Sequence, residues 1–178
     1  MKLREVISED LIHSGIDCTG RGILKAYWKY TTFRVVYWLR VCQRCKEMGG
    51  VLNFVFLIAY MKLKRLKNIY GVDVSVSTPT GPGLAIMHGG TVYLNAEKIG
   101  RNCTFFQGVT LGAKSLKDKR RPVLEDDVTV YTGAVVVGNI TLHKGCVVAA
   151  NSVVIEDVPE YALVSGVPAK VVGRIESR

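Results

Sequence analysis

Two different spacings of hydrophobic residues divide the chain near residue 70. Before that point, apolar residues recur every three or four positions, as they do on one face of a helix. The stretch "GILKAYWKYTTFRVVYWLRVCQRCKEM" shows this spacing from Leu24 to Cys42, and Gly49 and Gly50 interrupt it. The stretch "VLNFVFLIAYMKLKRLKNIYG" then shows it again. Residues 1–70 are therefore predicted to form a helical segment that contains a hairpin.

From about residue 72 the spacing changes to six. An aliphatic residue stands at every sixth position, and the residue four places later is small or aliphatic. A period of six fits short strands joined by tight turns, with three strands in each 18-residue coil and the coils stacked into a prism. Both positions are predicted to point into the interior, which accounts for Cys103 and Cys146 as small buried groups. The two series are Leu124, Val130, Val136, Leu142, Val148 and Val154, and Val128, Ala134, Ile140, Cys146, Ser152 and Val158.

The repeat is interrupted once, between Leu111 and Leu124. The stretch "AKSLKDKRRPV" is too polar and too basic for the interior of the prism. We therefore predict an extruded loop at about residues 113–123, within a prism domain of residues 71–158. Residues 159–178 are predicted to form a C-terminal tail. Loops that leave a rigid scaffold in this way often carry functional residues.

The charge of the chain is concentrated in its helical third. The 178 residues carry a formal net charge of +9, and residues 1–70 contribute 13 Lys and Arg against 5 Asp and Glu. Such a segment suits an anionic partner or is simply a solvated helix face. Aromatic residues such as Trp28 and Trp38 belong either to the helical core or to a face that lies on a membrane. We expect peripheral contact between residues 20–70 and an anionic membrane, and no nucleic-acid partner.

The cysteines and the hydropathy indicate a cytoplasmic protein. There are five cysteines, an odd number, and no signal-cleavage pattern opens the chain. Cys42 and Cys45 form a CxxC pair inside a helical pattern, without a second pair at zinc-site spacing, so we interpret them as packing residues. No segment reaches the roughly 18 apolar residues of a membrane span. Membrane contact, if made, would be peripheral at the inner face.

Several motifs in residues 65–175 now acquire a common meaning. They are "DVS", "MHGG", "KIGRNCTFFQGVTLGA", "VGNITLHKGCVVAANSVV" and "SGVPAKVVG". In these motifs the chain resembles the hexapeptide-repeat acyltransferases, specifically their serine acetyltransferase-like branch. The resemblance implies a mainly β fold, a left-handed parallel β-helix, which here follows an N-terminal α-helical segment. It also implies a homotrimer that uses acetyl-CoA to acetylate a hydroxyl group.

His88 and Asp73 are the candidate catalytic pair. A neutral histidine can take the proton of the attacking hydroxyl, and a carboxylate on its other nitrogen fixes the tautomer. Asp73 precedes His88 by 15 residues, nearly one coil, which predicts that both lie near the same edge of the prism. By resemblance, "VDV" and "MHGG" match the family's aspartate and base. The alternative is a turn aspartate and a surface histidine.

The remaining site residues follow from the resemblance and from charge. The resemblance assigns coenzyme A binding to Ala113, Thr132 and Ala150, and Lys170 is a candidate for phosphate contact. The extruded loop adds further phosphate candidates, and the oxyanion donor stays open between the Gly89–Gly90 pair and the turn at residues 111–113. No metal site is predicted, because only His88 and His143 lie in the prism. The loop candidates are Lys114, Lys117, Lys119, Arg120 and Arg121.

Two residues bear on the acceptor. The family has an aspartate before the catalytic histidine and a second histidine in the loop, where this chain has Met87 and Arg121. Losing the aspartate removes a partner for a substrate ammonium. We therefore favour a saccharide hydroxyl, from a surface polysaccharide building block, as the acceptor. Serine O-acetylation is the alternative, and a non-catalytic β-helix scaffold is the third hypothesis.

Overall fold

The computed structural model describes residues 1–16, 20–49 and 52–176. Cys18 and Gly50, which entered the sequence argument, lie outside the described residues. Within the described part, four α-helices precede a long series of short strands. The helices are α1 Leu3–His13, α2 Gly20–Lys29, α3 Thr31–Met48 and α4 Leu52–Tyr70.

The first arm of the predicted hairpin is two helices rather than one. The chain is extended at Tyr30, with φ −110° and ψ 114°, and α3 begins directly after it. Arg34 explains how α2 can end there, because its guanidinium donates to the carbonyl oxygens of Tyr27 and Trp28 at 2.6 and 2.7 Å. Those oxygens would otherwise lack partners at the helix end. Helices α3 and α4 then pack against each other as an antiparallel-type pair joined through residues 49–51.

The strands form a three-sided prism. We call its sides face A (β1, β3, β6, β9, β12), face B (β4, β7, β10) and face C (β2, β5, β8, β11, β13, β14). Every pairing is parallel except that of β13 with β14. The bounds are β1 Val72–Val74, β2 Ala85–Ile86, β3 Val92–Leu94, β4 Lys98–Ile99, β5 Thr104–Phe105, β6 Thr110–Gly112, β7 Val123–Leu124, β8 Thr129–Val130, β9 Val135–Val137, β10 Thr141–Leu142, β11 Val147–Val148, β12 Val153–Val154, β13 Ala162–Gly166 and β14 Ala169–Arg174.

The register between strands gives the length of a coil. Thr129 pairs with Val147 and Val135 with Val153, each 18 residues further along the chain. The 18-residue coil predicted from the period of six is confirmed. Thr104 pairs with Thr129 instead, a step of 25 residues, so the loop between β6 and β7 adds seven residues (25 minus 18) without disturbing the ladder.

The interior of the prism contains both hexad series. Every residue of the two series is buried, and so are the earlier members Ile99, Phe105 and Leu111. Burial raises the pKa of the thiols of Cys103 and Cys146 to about 12, which keeps them protonated and unreactive. The hairpin of β13 and β14, formed by residues predicted as a tail, extends face C at the far end of the prism.

The helices are fastened to the prism by a buried ion pair. Asp10 of α1 and Arg40 of α3 are 0% and 4% exposed, and two hydrogen bonds of 2.9 Å join them. Arg40 also donates to the carbonyl oxygens of Thr80 and Gly81, and Asp10 accepts from the backbone N–H of Leu84. The pair therefore holds two helices and the first coil of the prism together.

The other features of the helical segment bear on the sequence expectations. Cys42 and Cys45 are buried on α3 as free thiols, and burial raises the pKa of Cys42 to about 11. Their packing continues the hydrophobic core of the prism across Val35, Leu39 and Leu63. Among the helices that the structure describes, none combines the length and the apolar composition needed to cross a membrane.

We predict that Asp10→Asn lowers the free energy of unfolding by about 3–5 kcal/mol, because it leaves Arg40 buried without its counter-charge. Denaturant unfolding followed by circular dichroism measures this change. Arg44→Met on the same helix is the matched control, since its partner Glu47 is solvent-exposed, and it should cost less than about 1 kcal/mol. Equal losses for the two variants would show that the buried pair does not fasten the helices.

Candidate active site

The candidate catalytic residue lies in a column of stacked corners. At one edge of the prism the chain passes from face C to face A, at residues 87–91, 106–109, 131–134 and 149–152. We call this the C–A column. Backbone hydrogen bonds join successive corners, from Gly133 N–H to Gln107 O at 3.0 Å and from Asn151 N–H to Thr132 O at 2.9 Å. Neighbouring corners are therefore about 4.8 Å apart, the spacing of paired strands.

The corner that carries His88 is longer than the one above it. Ile86 pairs with Phe105 and Tyr93 with Thr110, so the chain takes seven steps (86 to 93) where the next corner takes five (105 to 110). The two additional residues push the corner outward. His88 is exposed there with φ 66°, a left-handed conformation that non-glycine residues adopt at a cost. Gly90, at φ 137°, completes the turn.

Asp73 lies on the other side of the same corner. It is in the middle of β1 on face A, two residues from Gly71, whose backbone packs against Gly90 and Thr91. Its carboxylate pairs with Nζ of Lys67 at 2.5 Å, and in the part of the chain described here no hydrogen bond joins it to His88. The carboxylate is 59% exposed. An exposed ion pair contributes about 0–1 kcal/mol, so Asp73 can change partner at little cost.

A cavity of about 200 Å³ opens beside His88, between the corner and the helices. Met87 and His88 line its prism side, and the hydroxyls of Ser14, Tyr30 and Thr32 line its helical side. No carboxylate or Lys or Arg side chain is among its described lining residues. Met87 thus contributes an apolar wall where the family has an acid, and the polar contacts available to an acceptor come from hydroxyl groups.

Aromatic rings follow His88 up the column. The ring of Phe106, one corner above, is 6.3 Å from the His88 ring, and Phe106 stacks on Tyr131 at 4.8 Å. Sequence reasoning missed both residues. Each directly follows an inward hexad residue, Phe105 or Val130, and that position was the available signal. The stack gives the exposed histidine an apolar flank.

Three of the four coenzyme A candidates lie along the same column. Thr132 and Ala150 belong to the third and fourth corners, and Lys170 pairs in register with Ser165 in the hairpin directly above them. The hairpin joins the column through a hydrogen bond of 3.2 Å from Gly166 N–H to Oγ of Ser152. Four corner spacings separate the His88 corner from the Lys170 row, or about 19 Å. Nζ of Lys170 is 3.3 Å from Glu156.

Ala113 and Arg121 lie elsewhere, at the edge where the chain passes from face A to face B. Arg121 donates to both carboxylate oxygens of Glu97 at 2.9 Å and to Asn95 at 3.0 Å. This hydrogen bonding lowers the pKa of Glu97. The guanidinium therefore clamps the base of the extruded loop to the prism, and a single chain does not bring Ala113 or Arg121 to His88.

The other two histidines have structural partners. Nε2 of His13 lies 2.8 Å from Oγ1 of Thr104, where burial lowers the pKa of His13. Nδ1 of His143 lies 3.2 Å from Glu125. Across the described ranges, no group of three or more His, Cys, Asp or Glu side chains is placed to hold a metal ion.

Comparison with known proteins identifies close relatives of the prism. The serine acetyltransferase of Bacillus licheniformis is 44% identical over 104 residues, which are 57% of this chain and 48% of that protein. The enzyme of Bacillus subtilis (strain 168) is 42% identical over the same lengths. The chain thus spans about half the length of the curated relatives it matches. No protein-family model matches it.

Solved structures cover nearly the whole chain. Serine acetyltransferase from Brucella abortus strain S19 superposes with a TM-score of 0.77 at 25% identity, over 96% of this chain and 68% of that one. The Neisseria gonorrhoeae enzyme in complex with serine gives 0.77 at 28% identity, over 96% and 69%. The soybean enzyme complexed with serine gives the same score at 27% identity, over the same shares.

These relatives correct the interpretation of the acceptor. The saccharide hypothesis favoured from Met87 and Arg121 is wrong, because the named homologues and structural neighbours are serine acetyltransferases. The two substitutions show which groups the acceptor site has lost, but they do not reveal what it binds instead. The homologues and the fold together place the chain in the serine acetyltransferase-like branch of the hexapeptide-repeat acyltransferases, as a left-handed parallel β-helix.

Proposed function

We propose that the protein is an acyltransferase that moves the acetyl group of acetyl-CoA to the hydroxyl of serine. The observation that carries the proposal is the lengthened corner that presents His88 at the mouth of a cavity between prism and helices. The identity of the relatives supports the acceptor. A structural corner of this fold needs neither the two additional residues nor the left-handed histidine.

In this proposal His88 acts as the general base. It takes the proton of the acceptor hydroxyl as that oxygen bonds to the thioester carbonyl carbon, and returns the proton to the departing sulfur. Asp73 orients the imidazole and stabilises its protonated form. To do so, the carboxylate turns from Lys67 toward the corner. Its exposure makes that rearrangement inexpensive, and Lys67 keeps its second hydrogen bond, of 3.0 Å, to the Val74 carbonyl.

The C–A column suits an extended acyl donor. Acetyl-CoA supplies the acetyl group as a thioester, and its arm carries amides that can pair with backbone groups at strand ends. Thr132 and Ala150 provide small side chains beside such a path, and Lys170 provides a cation at its far end. The phosphates would meet Lys170 there, some 19 Å from His88, four corner spacings along the column. The reaction proposed needs no metal ion.

Serine fits the cavity by size and by hydrogen bonding. A volume of about 200 Å³ admits a small amino acid and little more. With Met87 in place of an acid, the substrate ammonium would donate to hydroxyl oxygens such as those of Ser14 and Thr32. Neutral acceptors hold an ammonium less tightly than a carboxylate does. We therefore expect a weaker affinity for serine than an acid at position 87 would give.

We further propose a homotrimer. The candidates Ala113 and Arg121 lie at a different edge of the prism from His88, so one chain cannot place both sets around the same ligand. A neighbouring prism that sets its loop edge against the C–A column would bring them together. Sedimentation equilibrium should give the mass of three chains, and the mass of one chain would contradict the assembly.

For location, we propose a cytoplasmic protein whose helical segment 20–70 touches the inner face of an anionic membrane peripherally. The described part of this segment supports contact without insertion across the bilayer, because its helices carry exposed apolar and basic side chains. The catalytic proposal does not depend on this contact.

We predict that thiol release from acetyl-CoA requires L-serine, and that His88→Ala lowers kcat/KM by about 10² to 10⁴. Asp73→Asn should lower it less, since the base remains. His143→Ala is the matched control, a half-exposed histidine on the same prism, and should leave turnover unchanged. Calorimetric binding of CoA to each variant separates loss of chemistry from loss of binding. Retained turnover in His88→Ala, or no release with L-serine, would contradict the proposal.

A further inference from the structure

Helix α4 has two apolar stripes, and only one of them is buried. The inner stripe, Ala59, Leu63 and Leu66, packs against the core. The outer stripe is Phe54, Ile58 and Met61, whose spacing of four and three places them on one line along the helix. Their side chains are 71%, 49% and 56% exposed. Large exposed apolar patches usually mark an interaction surface.

The second half of the outer line is basic. Arg65 continues the stripe one turn beyond Met61, and Lys62 and Lys64 flank it, all three exposed. Helix α4 contains no acidic residue. A shallow depression lies among Met61, Lys64, Arg65, Asn68 and Ile69. The helix surface therefore changes along its length from apolar to cationic.

We propose that this surface, which we call the outer face of α4, binds the surface of an anionic membrane. It comprises Phe54, Leu57, Ile58, Met61, Lys62, Lys64 and Arg65. The apolar half enters the boundary between headgroups and acyl chains, and the cationic half meets lipid phosphates. With four cations on 19 residues, the helix lies along the membrane and does not cross it.

Charge distinguishes this occupant from a second copy of the chain. Two copies paired through the outer face would bury Lys62, Lys64 and Arg65 against apolar groups or against each other, since α4 offers no carboxylate. An anionic membrane supplies both the apolar phase and the counter-charge. The face of α4 thus has the chemistry of a lipid surface ligand rather than of a self-complementary interface.

The inference names the surface that makes the proposed peripheral contact, and rests on that part of the proposed function alone. Acetyl transfer is measured in solution and vesicle binding without substrates. Failure of one leaves the other standing.

The test is co-sedimentation of the full chain with large unilamellar vesicles. One set is phosphatidylcholine alone and the other is phosphatidylcholine mixed with phosphatidylglycerol. We expect the protein to pellet with the anionic vesicles at low salt, to remain in solution with the neutral ones, and to bind more weakly as salt is raised. Absence of binding to the anionic vesicles would overturn the proposal.

Variants locate the binding surface. Changing Lys62, Lys64 and Arg65 together to Gln should weaken binding about 100-fold, since each cation near such a surface is worth about a factor of five. Phe54→Ser with Ile58→Ser should also abolish pelleting while the far-ultraviolet circular dichroism stays unchanged. The matched control removes three exposed charges from the extruded loop, by changing Lys114, Lys117 and Lys119 to Gln.

Two results would contradict the assignment. An equal loss in the loop control would show that binding follows net charge and not the outer face of α4. A reduction in oligomeric mass for Phe54→Ser with Ile58→Ser, measured by sedimentation equilibrium, would show that a second copy of the chain covers the face.

Discussion

The parallel ladder between successive coils is the constraint on which the molecule depends. Each strand pairs with a strand 18 residues away, so residues at equivalent corners stack into columns about 4.8 Å apart. The chain departs from that length at two places, the two additional residues of the His88 corner and the seven of the extruded loop. Because the ladder holds on both sides, each insertion projects outward. Function is therefore expected where the period is broken.

The second constraint is the attachment of the helices. The cavity beside His88 exists because residues of the helical segment pack over the corner, and Asp10 with Arg40 fixes that packing. A buried ion pair of this kind contributes less to net stability than its contacts suggest, because both charges lose their hydration. Its geometric demand is strict, since it joins α1, α3 and the first coil. We interpret it as a device that sets the position of the helices.

Sequence reasoning predicted the prism well, for a physical reason. A period of six recurs through the whole domain, so the coil length, the buried positions such as Cys103 and Cys146, and the extruded loop follow from one pattern. Contacts that occur once leave no pattern. Asp10 and Arg40 are 30 residues apart on different helices, and the pairing of Lys67 with Asp73 depends on how α4 ends. The split at Tyr30 depends on a single arginine. The acceptor was predicted wrongly, because Met87 records only the loss of an acid.

The central claim is that the C–A column guides the acyl donor to His88. A crystal structure of the protein with coenzyme A bound tests it most directly. The account predicts that the sulfur lies within contact distance of the His88 ring, that the arm follows Thr132 and Ala150, and that the phosphates lie near Lys170. Coenzyme A bound along another edge of the prism, with its sulfur away from His88, would contradict it.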